Sequence, residues 1–508
     1  MRRVLGNLSM GRLVEFVMGI VAVVLVILWR PLFHWLVFGI LIRHLTGTIF
    51  TLLVVILAVI WLASLDAGYD AGRKGFAFLI VGVLWLFYSI FYSGALTSWY
   101  MVKDIQPTIM SNLPDTVEVR YMPMAIAQRY GRSQLQDSLY QLGDVDPYDS
   151  EAELYWSAPR VPNGFVNSFI GQTDGIQIVH PDGSVETKHQ VMKYGEGMRI
   201  GDNISWPLWL THYNVDLSEV YYLSVNDEIL TMVPYVSYRY EFPVMVPIWG
   251  GVFVVHPDGH VEDLKPEAAI ADPRFIGQRL YPEALAKRIA TSWGARHGIV
   301  NAWFSHRDQA AVPTIKGEKN QMPYLLPTPT GPMWFIGMEP YGPSESIYKM
   351  LFIDARTGEV NLYEVPSETG LIGPNSAFGF VRQEFPDYQW YQKGEKDSYG
   401  NVVLIEPRPL IRSGELWWMF TVTTIDSSGI KITPVINART RNVVFFYNEE
   451  ELGSFLQGFD SGHSPGATGQ SVQTSTVTSN QDLKSLSENQ LIQLLQQVAA
   501  ELARRQNP

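Results

Sequence analysis

The sequence predicts a membrane-anchored α+β protein. The expected order is an N-terminal α-helical transmembrane segment, a β-rich extracytoplasmic region of repeated hairpin units, and a C-terminal amphipathic helix. Three observations predict this order. Long apolar stretches lie within the first 98 residues, one short strand–turn–strand phrase occurs four times, and a leucine stripe lies near the carboxy terminus. A chain of 508 residues is too long for one hydrophobic core, so several domains are expected.

The composition excludes several classes of function. The net charge is −12, and because the first 98 residues are net positive, the acidity belongs to the remainder of the chain. Binding to phosphates requires a basic face, so an acidic soluble region argues against a nucleic-acid partner. The chain has no cysteine, which excludes disulfides, thiolate nucleophiles and thiolate metal sites.

Residues 1–98 are predicted to be a three-span membrane anchor. A span needs about 20 apolar residues, and the sequence has three apolar stretches, 14–42, 48–65 and 76–96. The first contains Arg30-Pro31, which leaves two interpretations. It is either one crossing, kinked or ending near the headgroups at Arg30, or a crossing followed by a re-entrant or interfacial piece over 32–42. We expect one crossing.

Basic residues near the spans determine the predicted orientation. Arg2, Arg3 and Arg12 precede the first span, and Arg73-Lys74 lie between the second and third. With three crossings, both groups are cytoplasmic, and everything after the third span is extracytoplasmic. The predicted location is therefore the cell membrane, as a multi-pass protein, and the lipid bilayer is a predicted partner.

Residues 99–165 are predicted to be a membrane-proximal connector, with some helical spacing early in it. Asp144, Asp146 and Asp149 then cluster around a proline. Three close carboxylates are able to bind Ca²⁺, yet the glycine and terminal glutamate of a calcium loop are missing. We interpret the cluster as a solvated turn, with a metal site as the weaker alternative.

Residues 166–280 are predicted to be β-rich and contain the first two copies of the phrase, each with His-Pro-Asp-Gly between β-branched strands. Proline presets the backbone at the second turn position, and glycine accepts a positive φ at the fourth. The turn residues are Pro181, Asp182, Gly183, Pro257, Asp258 and Gly259. The histidines are interpreted as strand ends, with metal or acid–base chemistry as a weaker alternative.

Residues 281–366 contain the most complete repeat. Leu285, Ile289 and Trp293 form a helical stripe, and a few antiparallel strands follow, which together predict an α+β unit. The third copy of the phrase closes the unit, and its turn residues are Asp354, Thr357 and Gly358.

Residues 367–452 repeat the strands, but they lack a clear helix, and Arg441 stands at the glycine position. The helix, the tryptophan-containing strand and the hairpin Ile-Asp-Ala-Arg-Thr-Gly-Glu-Val resemble a PepSY domain, best over 281–366 and more weakly over 375–449. This resemblance implies a small α+β module, often duplicated and extracytoplasmic, that is proposed to bind or restrain peptidases and other partners. It implies no catalytic residues.

The carboxy-terminal part of the chain changes composition. Residues 453–481 are rich in Gly, Ser, Thr and Gln and are predicted to be a flexible linker. Residues 482–508 are predicted to form an amphipathic helix. Its apolar stripe, a candidate surface for a protein partner or for self-association, consists of Leu491, Leu494, Leu495, Val498 and Leu502.

No catalytic, cofactor or metal motif is present in the sequence. We therefore expect a non-enzymatic, membrane-anchored scaffold or protein-binding module, part of a membrane-associated complex. One alternative is an extracytoplasmic regulator or inhibitor of a peptidase. The third interpretation, an accessory subunit of a transporter, needs polar side chains along a path through the membrane. It is weaker because the spans offer little beyond Arg30 and His34.

Overall fold

A computed structural model describes residues 18–19, 29–66, 71–117, 119–150, 153–315, 318, 320–391, 400–425 and 429–460. The described residues up to 449 form one compact body, and those from 450 onward belong to a second. In the second, a helix runs over Glu449–Asp460, where the sequence analysis predicts the start of a linker. The predicted helix 482–508 and its leucine stripe lie outside the described residues.

The amino-terminal region contains two long helices that pack side by side. They are Leu45–Asp66 and Ala71–Phe87, and the second continues through a π-helical segment, Tyr88–Tyr92, into the helix Ser93–Val102. The contacts show an antiparallel pair: the Trp85 indole donates to Thr51 Oγ1 at 2.9 Å, and the rings of Trp61 and Phe78 stack with their centroids 5.8 Å apart.

Within the described residues, Leu45–Ser64 is the one helix that is long and apolar enough to cross a membrane by length and composition. The start of the chain therefore confirms an apolar membrane-type helix, and the prediction of three spans goes beyond this finding. Residues 1–17 and 20–28 lie outside the described residues, so the first half of the predicted first span does too.

The second half of that predicted span lies within the described residues. Arg30–Ile42 is a short helical segment of changing geometry, and its polar side chains bind the β-rich region. The Arg30 guanidinium donates to the carbonyl of Leu210, and His34 Nε2 lies 3.0 Å from the carbonyl oxygen of Tyr213. These contacts hold Arg30–Ile42 against the β-rich region, and the expectation of one crossing over 14–42 stays a prediction.

The rest of the body confirms a mixed α+β region with several antiparallel sheets. Within the described residues the same arrangement occurs four times: a helix followed by a meander of four antiparallel strands, with the repeated phrase as the last hairpin. We call these units I (124–192), II (205–264), III (283–364) and IV (374–446).

The bounds of the units are as follows. Unit I has the helix Met124–Gln134 and the strands Asp146–Ser150, Glu153–Pro162, Thr173–Val179 and Val185–Met192. Unit II has the helix Ser205–Thr211 and the strands Tyr221–Val225, Glu228–Glu241, Val244–Val255 and Val261–Leu264. Unit III has the helix Glu283–Ser292 and the strands Tyr324–Thr328, Gly331–Pro340, Lys349–Asp354 and Val360–Glu364. Unit IV has the helix Pro374–Gln383 and the strands Val402–Arg412, Glu415–Thr424, Thr433–Asn437 and Val443–Phe446.

Short elements extend these units. Tyr140–Leu142 joins the sheet of unit I, Asp216–Leu217 joins that of unit II, and Thr108–Ile109 and Ala310–Ala311 join that of unit III. Ser346–Ile347 pairs with Leu371–Ile372, and two further short helices are Asn167–Ile170 and Pro266–Ala271.

A tryptophan fixes the helix of three units to the sheet. In units I, III and IV, a buried tryptophan of the second strand donates its indole N–H to a carbonyl two residues before the helix begins. The pairs are Trp156 to Met122 at 2.9 Å, Trp334 to Tyr281 at 3.3 Å and Trp418 to Ile372 at 3.0 Å. Because a buried indole N–H needs an acceptor, this bond determines where the chain enters each helix.

The strand register repeats as well. Each of these tryptophans lies opposite the first residue of the repeated phrase: Trp156 opposite Val179, Trp334 opposite Ile353, and Trp418 opposite Ile436. In unit II the same position, opposite Val255, is held by Thr231. The helix Pro374–Gln383 corrects the expectation that residues 367–452 lack a clear helix.

Candidate functional site

Each copy of the phrase closes a hairpin between the third and fourth strands of its unit. In units I, II and III the turn glycine has a positive φ, 85° at Gly183, 90° at Gly259 and 78° at Gly358. Asp182 and Asp258 each accept a backbone N–H two residues ahead, at 2.8 Å in both turns. In unit III the Asp354 carboxylate accepts the N–H of Thr357 at 2.8 Å. These turn residues, together with Pro181 and Pro257, connect the end of the third strand to the start of the fourth.

The histidines of the first two phrases contact carboxylates of their own hairpins. His180 Nε2 lies 3.7 Å from Glu186, and His256 Nε2 lies 2.6 Å from Glu262, so both pairs join the two ends of one phrase. Glu262 also receives the Arg274 guanidinium at 2.8 Å. Among the described residues, no group of three or more His, Asp or Glu side chains is arranged to hold a metal ion.

Charged side chains in and beside units I and III line a cleft of about 160 Å³. Its walls include aromatic side chains and two arginines, and the residues that matter for its chemistry are Arg120, Asp146, Trp156, Arg279, Glu283, Asn320, Tyr324 and Trp334. We call this the charged cleft. It lies where the repeats contact one another, so three units contribute to its lining or to the ion pairs behind it.

One side of the charged cleft is built on Glu406, which lies at a bulge in the first strand of unit IV and has a φ of 49°. Its carboxylate accepts three donors: Arg120 Nη2 at 2.8 Å, Asn320 Nδ2 at 2.8 Å and the backbone N–H of Met124 at 2.7 Å. Met124 is the first residue of the unit I helix. The buried carboxylate therefore fixes the positive end of that helix and neutralises Arg120.

The other side of the charged cleft is built on Arg279. Its guanidinium pairs with Asp146 at 3.3 Å and lies over the ring of Tyr221, with 5 % of its side chain exposed. Its Nη1 is buried and has no hydrogen-bond partner in the described structure. Burial raises the pKa of the Asp146 carboxyl to about 6, although the charge of Arg279 opposes this shift.

Glu283 is the most perturbed acid in the charged cleft. Burial first, and then the nearby charges of Glu219 and Asp146, raise its pKa to about 8, against the lowering effect of Arg279. The backbone N–H of Glu283 donates to Glu219 Oε1 at 2.9 Å, which holds those two acids together. Burial and the neighbouring negative charges both disfavour the ionised form of the Glu283 carboxyl.

Glu196 belongs to the same acidic neighbourhood. Its Oε2 accepts the hydroxyl of Tyr222 at 2.7 Å. Burial raises its pKa to about 7, and the charges of Asp146 and Asp144 add to the effect. Burial therefore disfavours the ionised forms of Glu196, Glu283 and Asp146 alike.

Sequence reasoning missed this site. It interprets Asp144, Asp146 and Asp149 as a solvated turn, whereas Asp146 is ion-paired inside the cleft with 20 % of its side chain exposed. The prediction fails because the partner, Arg279, lies more than a hundred positions away. The available signal is the Pro-Glu pair at the start of the unit III helix, which places an acid where that helix enters the cleft.

No protein-family model matches this chain, and no curated protein matches it.

Proposed function

We propose that this protein is a membrane-anchored, non-enzymatic scaffold that binds a protein partner on the extracytoplasmic side. The charged cleft receives a positively charged side chain of that partner, a lysine or an arginine. The observation that carries this proposal is the group of acids beside Arg279: Asp146 pairs with its guanidinium at 3.3 Å, and Glu219 accepts the backbone N–H of Glu283 at 2.9 Å. Burial and these neighbours raise the pKa of Glu283. The carboxyl of Glu283 would therefore lose its proton when a cation binds in the cleft.

The acids on the Arg279 side of the charged cleft support a cation as the ligand, since Arg120 on the other side is already paired with Glu406. Asp146 and Glu283 line the cleft, Glu219 contacts Glu283 from behind, and an incoming ammonium would offset the mutual repulsion of these acids. The rings of Trp156 and Trp334 line the same space, and aromatic faces attract cations. Cation binding would release the proton of Glu283, so part of the binding free energy comes from that ionisation.

The helix pair supports membrane anchoring. Side chains on both helices are apolar and exposed, for example Ile56 at 54 %, Val59 at 60 % and Leu84 at 60 %. A continuous apolar surface of this kind is stable in lipid and unstable in water. We propose that both helices cross the bilayer as a hairpin, which makes the protein multi-pass.

The same hairpin supports the orientation. The antiparallel packing puts Arg73 and Lys74, which precede Gly75, at the end of the pair far from the β-rich body, since Gly75 lies beside Trp61. Basic residues favour the cytoplasm. Units I to IV then lie outside, although Arg43 and His44 are on their side and weaken the bias.

The α+β arrangement supports a PepSY-like interpretation of units III and IV. In both, a helix covers an antiparallel sheet and a buried tryptophan joins the two. We propose that all four units are variants of this module and that they act as binding surfaces.

A paired-peptide experiment tests the cleft. The probe is an array of short peptides that differ at one position, lysine against glutamine, presented to the full-length protein in detergent. We expect binding about tenfold tighter for lysine members. Glu283→Gln copies the protonated state of the free protein, so it folds, but it cannot supply the carboxylate, and the preference is lost.

Glu339→Gln is the matched control, because burial also raises the pKa of Glu339, to about 7, and it does not line the cleft. It should keep the preference for lysine. Equal binding of lysine and glutamine peptides, or a preference that survives Glu283→Gln, would contradict the proposal.

The tail gives a second test. If the stripe containing Leu491 and Leu495 binds a partner or a second copy, deletion of residues 482–508 reduces the size of the complex extracted from native membranes. A complex of unchanged size would contradict a binding role for this segment.

A further inference from the structure

A second cavity, of about 300 Å³, lies where the helix pair meets the β-rich body. We call it the interface cavity. It is lined by the residues just before the Leu45 helix, by the rod of helix that contains the π segment, by the second hairpin of unit II, and by the helix of unit III. The residues that matter for its chemistry are Arg43, Gly94, Ser98, Tyr238 and Arg288.

The interface cavity carries an excess of positive charge. Arg43 Nη1 lies 3.0 Å from Asp216 Oδ2, and Arg288 Nη2 lies 3.6 Å from the same oxygen. The hydroxyl of Tyr238 also donates to that oxygen. Among the described residues, Asp216 is the one carboxylate paired with either arginine, so two guanidinium groups share a single negative charge.

The two guanidinium groups remain accessible. About a third of each side chain is exposed, 33 % for Arg43 and 32 % for Arg288. Gly94 lines the same cavity, and the space beside it is open, since an added Cβ would meet no atom within 4 Å. Guanidinium groups in this situation bind phosphate oxygens with paired hydrogen bonds.

The position of the cavity indicates where such a phosphate comes from. Arg43 is two residues before Leu45, the first residue of the apolar helix. The surrounding contacts are typical of a headgroup layer: the hydroxyls of Tyr88 and Tyr100 donate to the carbonyls of Pro243 and Phe242, at 2.8 and 3.2 Å.

We propose that the interface cavity binds the phosphate of an anionic phospholipid, with its acyl chains along the exposed faces of the helix pair. This inference rests on the proposed bilayer anchor and goes beyond the proposed scaffold function, because it assigns a separate ligand to a separate cavity. The bound lipid would neutralise the second guanidinium and join the hairpin of unit II to the helices.

The test uses the full-length protein in nanodiscs of phosphatidylglycerol, of phosphatidylcholine, or of a mixture of the two. We expect the lipid that co-purifies from mixed discs to be enriched about tenfold in phosphatidylglycerol. The variant Arg43→Gln/Arg288→Gln should lose this enrichment. Gly94→Leu should also lose it, by filling the cavity, and it keeps both charges.

Gly82→Leu is the matched control, because Gly82 is on the same rod, also meets no atom within 4 Å, and is not in the cavity lining. It should keep the enrichment. Inorganic phosphate added in excess should not displace the lipid, and displacement would overturn the assignment to a lipid.

The possible results distinguish failure of the proposed lipid site from failure of the proposed membrane anchor. Insertion into nanodiscs without lipid preference, or enrichment that survives Gly94→Leu, would overturn the lipid site alone. Failure to insert into discs of either composition would overturn both the site and the proposed anchor.

Discussion

At the scale of single residues, the pH dependence of stability is the most direct consequence of the buried acids. Burial raises the pKa of Glu196 from 4.5 to about 7. Between these values the folded protein keeps a proton that the unfolded chain releases, so the free energy of unfolding falls as the pH rises. The loss is complete above the folded pKa and is on the order of 3 kcal/mol.

We therefore predict that Glu196→Gln removes this part of the pH dependence. The glutamine oxygen still accepts the hydroxyl of Tyr222, but the side chain cannot ionise. Above neutral pH the variant should be more stable than the wild type by about 2 to 3 kcal/mol, and below pH 4.5 the difference should vanish. Denaturant unfolding of the full-length protein across this range measures the effect, with the exposed Glu359→Gln as control. Parallel curves for variant and wild type would contradict it.

The turn position held by Gly358 in unit III and by Arg441 in unit IV gives two predictions of opposite sign for stability. An added Cβ at Gly358 would lie 2.2 Å from the ring of Tyr281, at a φ of 78°. Gly358→Ala should therefore destabilise the protein by about 2 to 4 kcal/mol. Arg441, at the same position of unit IV, has a φ of 66°. Arg441→Gly should stabilise the protein by up to about 1 kcal/mol.

Thermal unfolding of the two variants, measured side by side, checks both signs. A neutral Gly358→Ala would mean that the Tyr281 ring moves away at no cost. A destabilising Arg441→Gly would mean that the cation–π contact of Arg441 with Phe380, at 5.6 Å, outweighs the backbone strain.

At the scale of elements, the tryptophan bond predicts which part of a unit opens first. Trp334→Phe removes the indole N–H and leaves the carbonyl of Tyr281 without its donor in a buried site. We expect a loss of about 2 to 3 kcal/mol. We also expect faster amide exchange over the helix Glu283–Ser292 before the strands of unit III are affected.

Trp156→Phe is the control for this change, because the Trp156 indole donates to the carbonyl of Met122, before the helix of unit I, at 2.9 Å. It should leave exchange in the unit III helix unchanged. Uniform exchange across unit III in the Trp334 variant would show that the indole does not hold the helix.

The elements also explain what the sequence reveals. The helix of unit III is predicted because Glu-Ala-Leu-Ala-Lys-Arg combines strong helix formers with an apolar stripe. The helix Pro374–Gln383 contains Asn, Ser and two Phe residues and has no such local preference. It forms because Ala377, Phe378 and Val381 are buried against the core, and burial is a tertiary effect that local pattern does not carry.

The charged cleft lies outside sequence reasoning for the same reason. Arg120 and Glu406 are separated by 286 positions, and neither belongs to a motif. The repeated phrase, in contrast, carries its own turn chemistry, so the hairpins are readable from the sequence alone.

At the scale of the whole molecule, the proposed topology makes a labelling prediction. The chain has no cysteine, so a single introduced cysteine is the sole thiol. Gly72→Cys lies at the far end of the helix pair, and Glu267→Cys lies on an exposed helix after unit II. A membrane-impermeant maleimide should label Glu267→Cys in intact cells, and it should label Gly72→Cys only after permeabilisation.

Labelling of both positions in intact cells would contradict a membrane-crossing hairpin. The reverse pattern would keep the hairpin but place the units in the cytosol, which would remove the extracytoplasmic role.

The uninterrupted rod from Ala71 to Val102 has a mechanical meaning. A flexible linker lets the domain that it carries take many positions, whereas a continuous helix fixes the distance between the two parts that it joins. The segment Ser93–Val102 alone is about 15 Å long, and its Leu96 packs with Val244 and Val246 of unit II. If the helix pair crosses the bilayer as proposed, this packing would hold unit II at a fixed distance from the membrane surface.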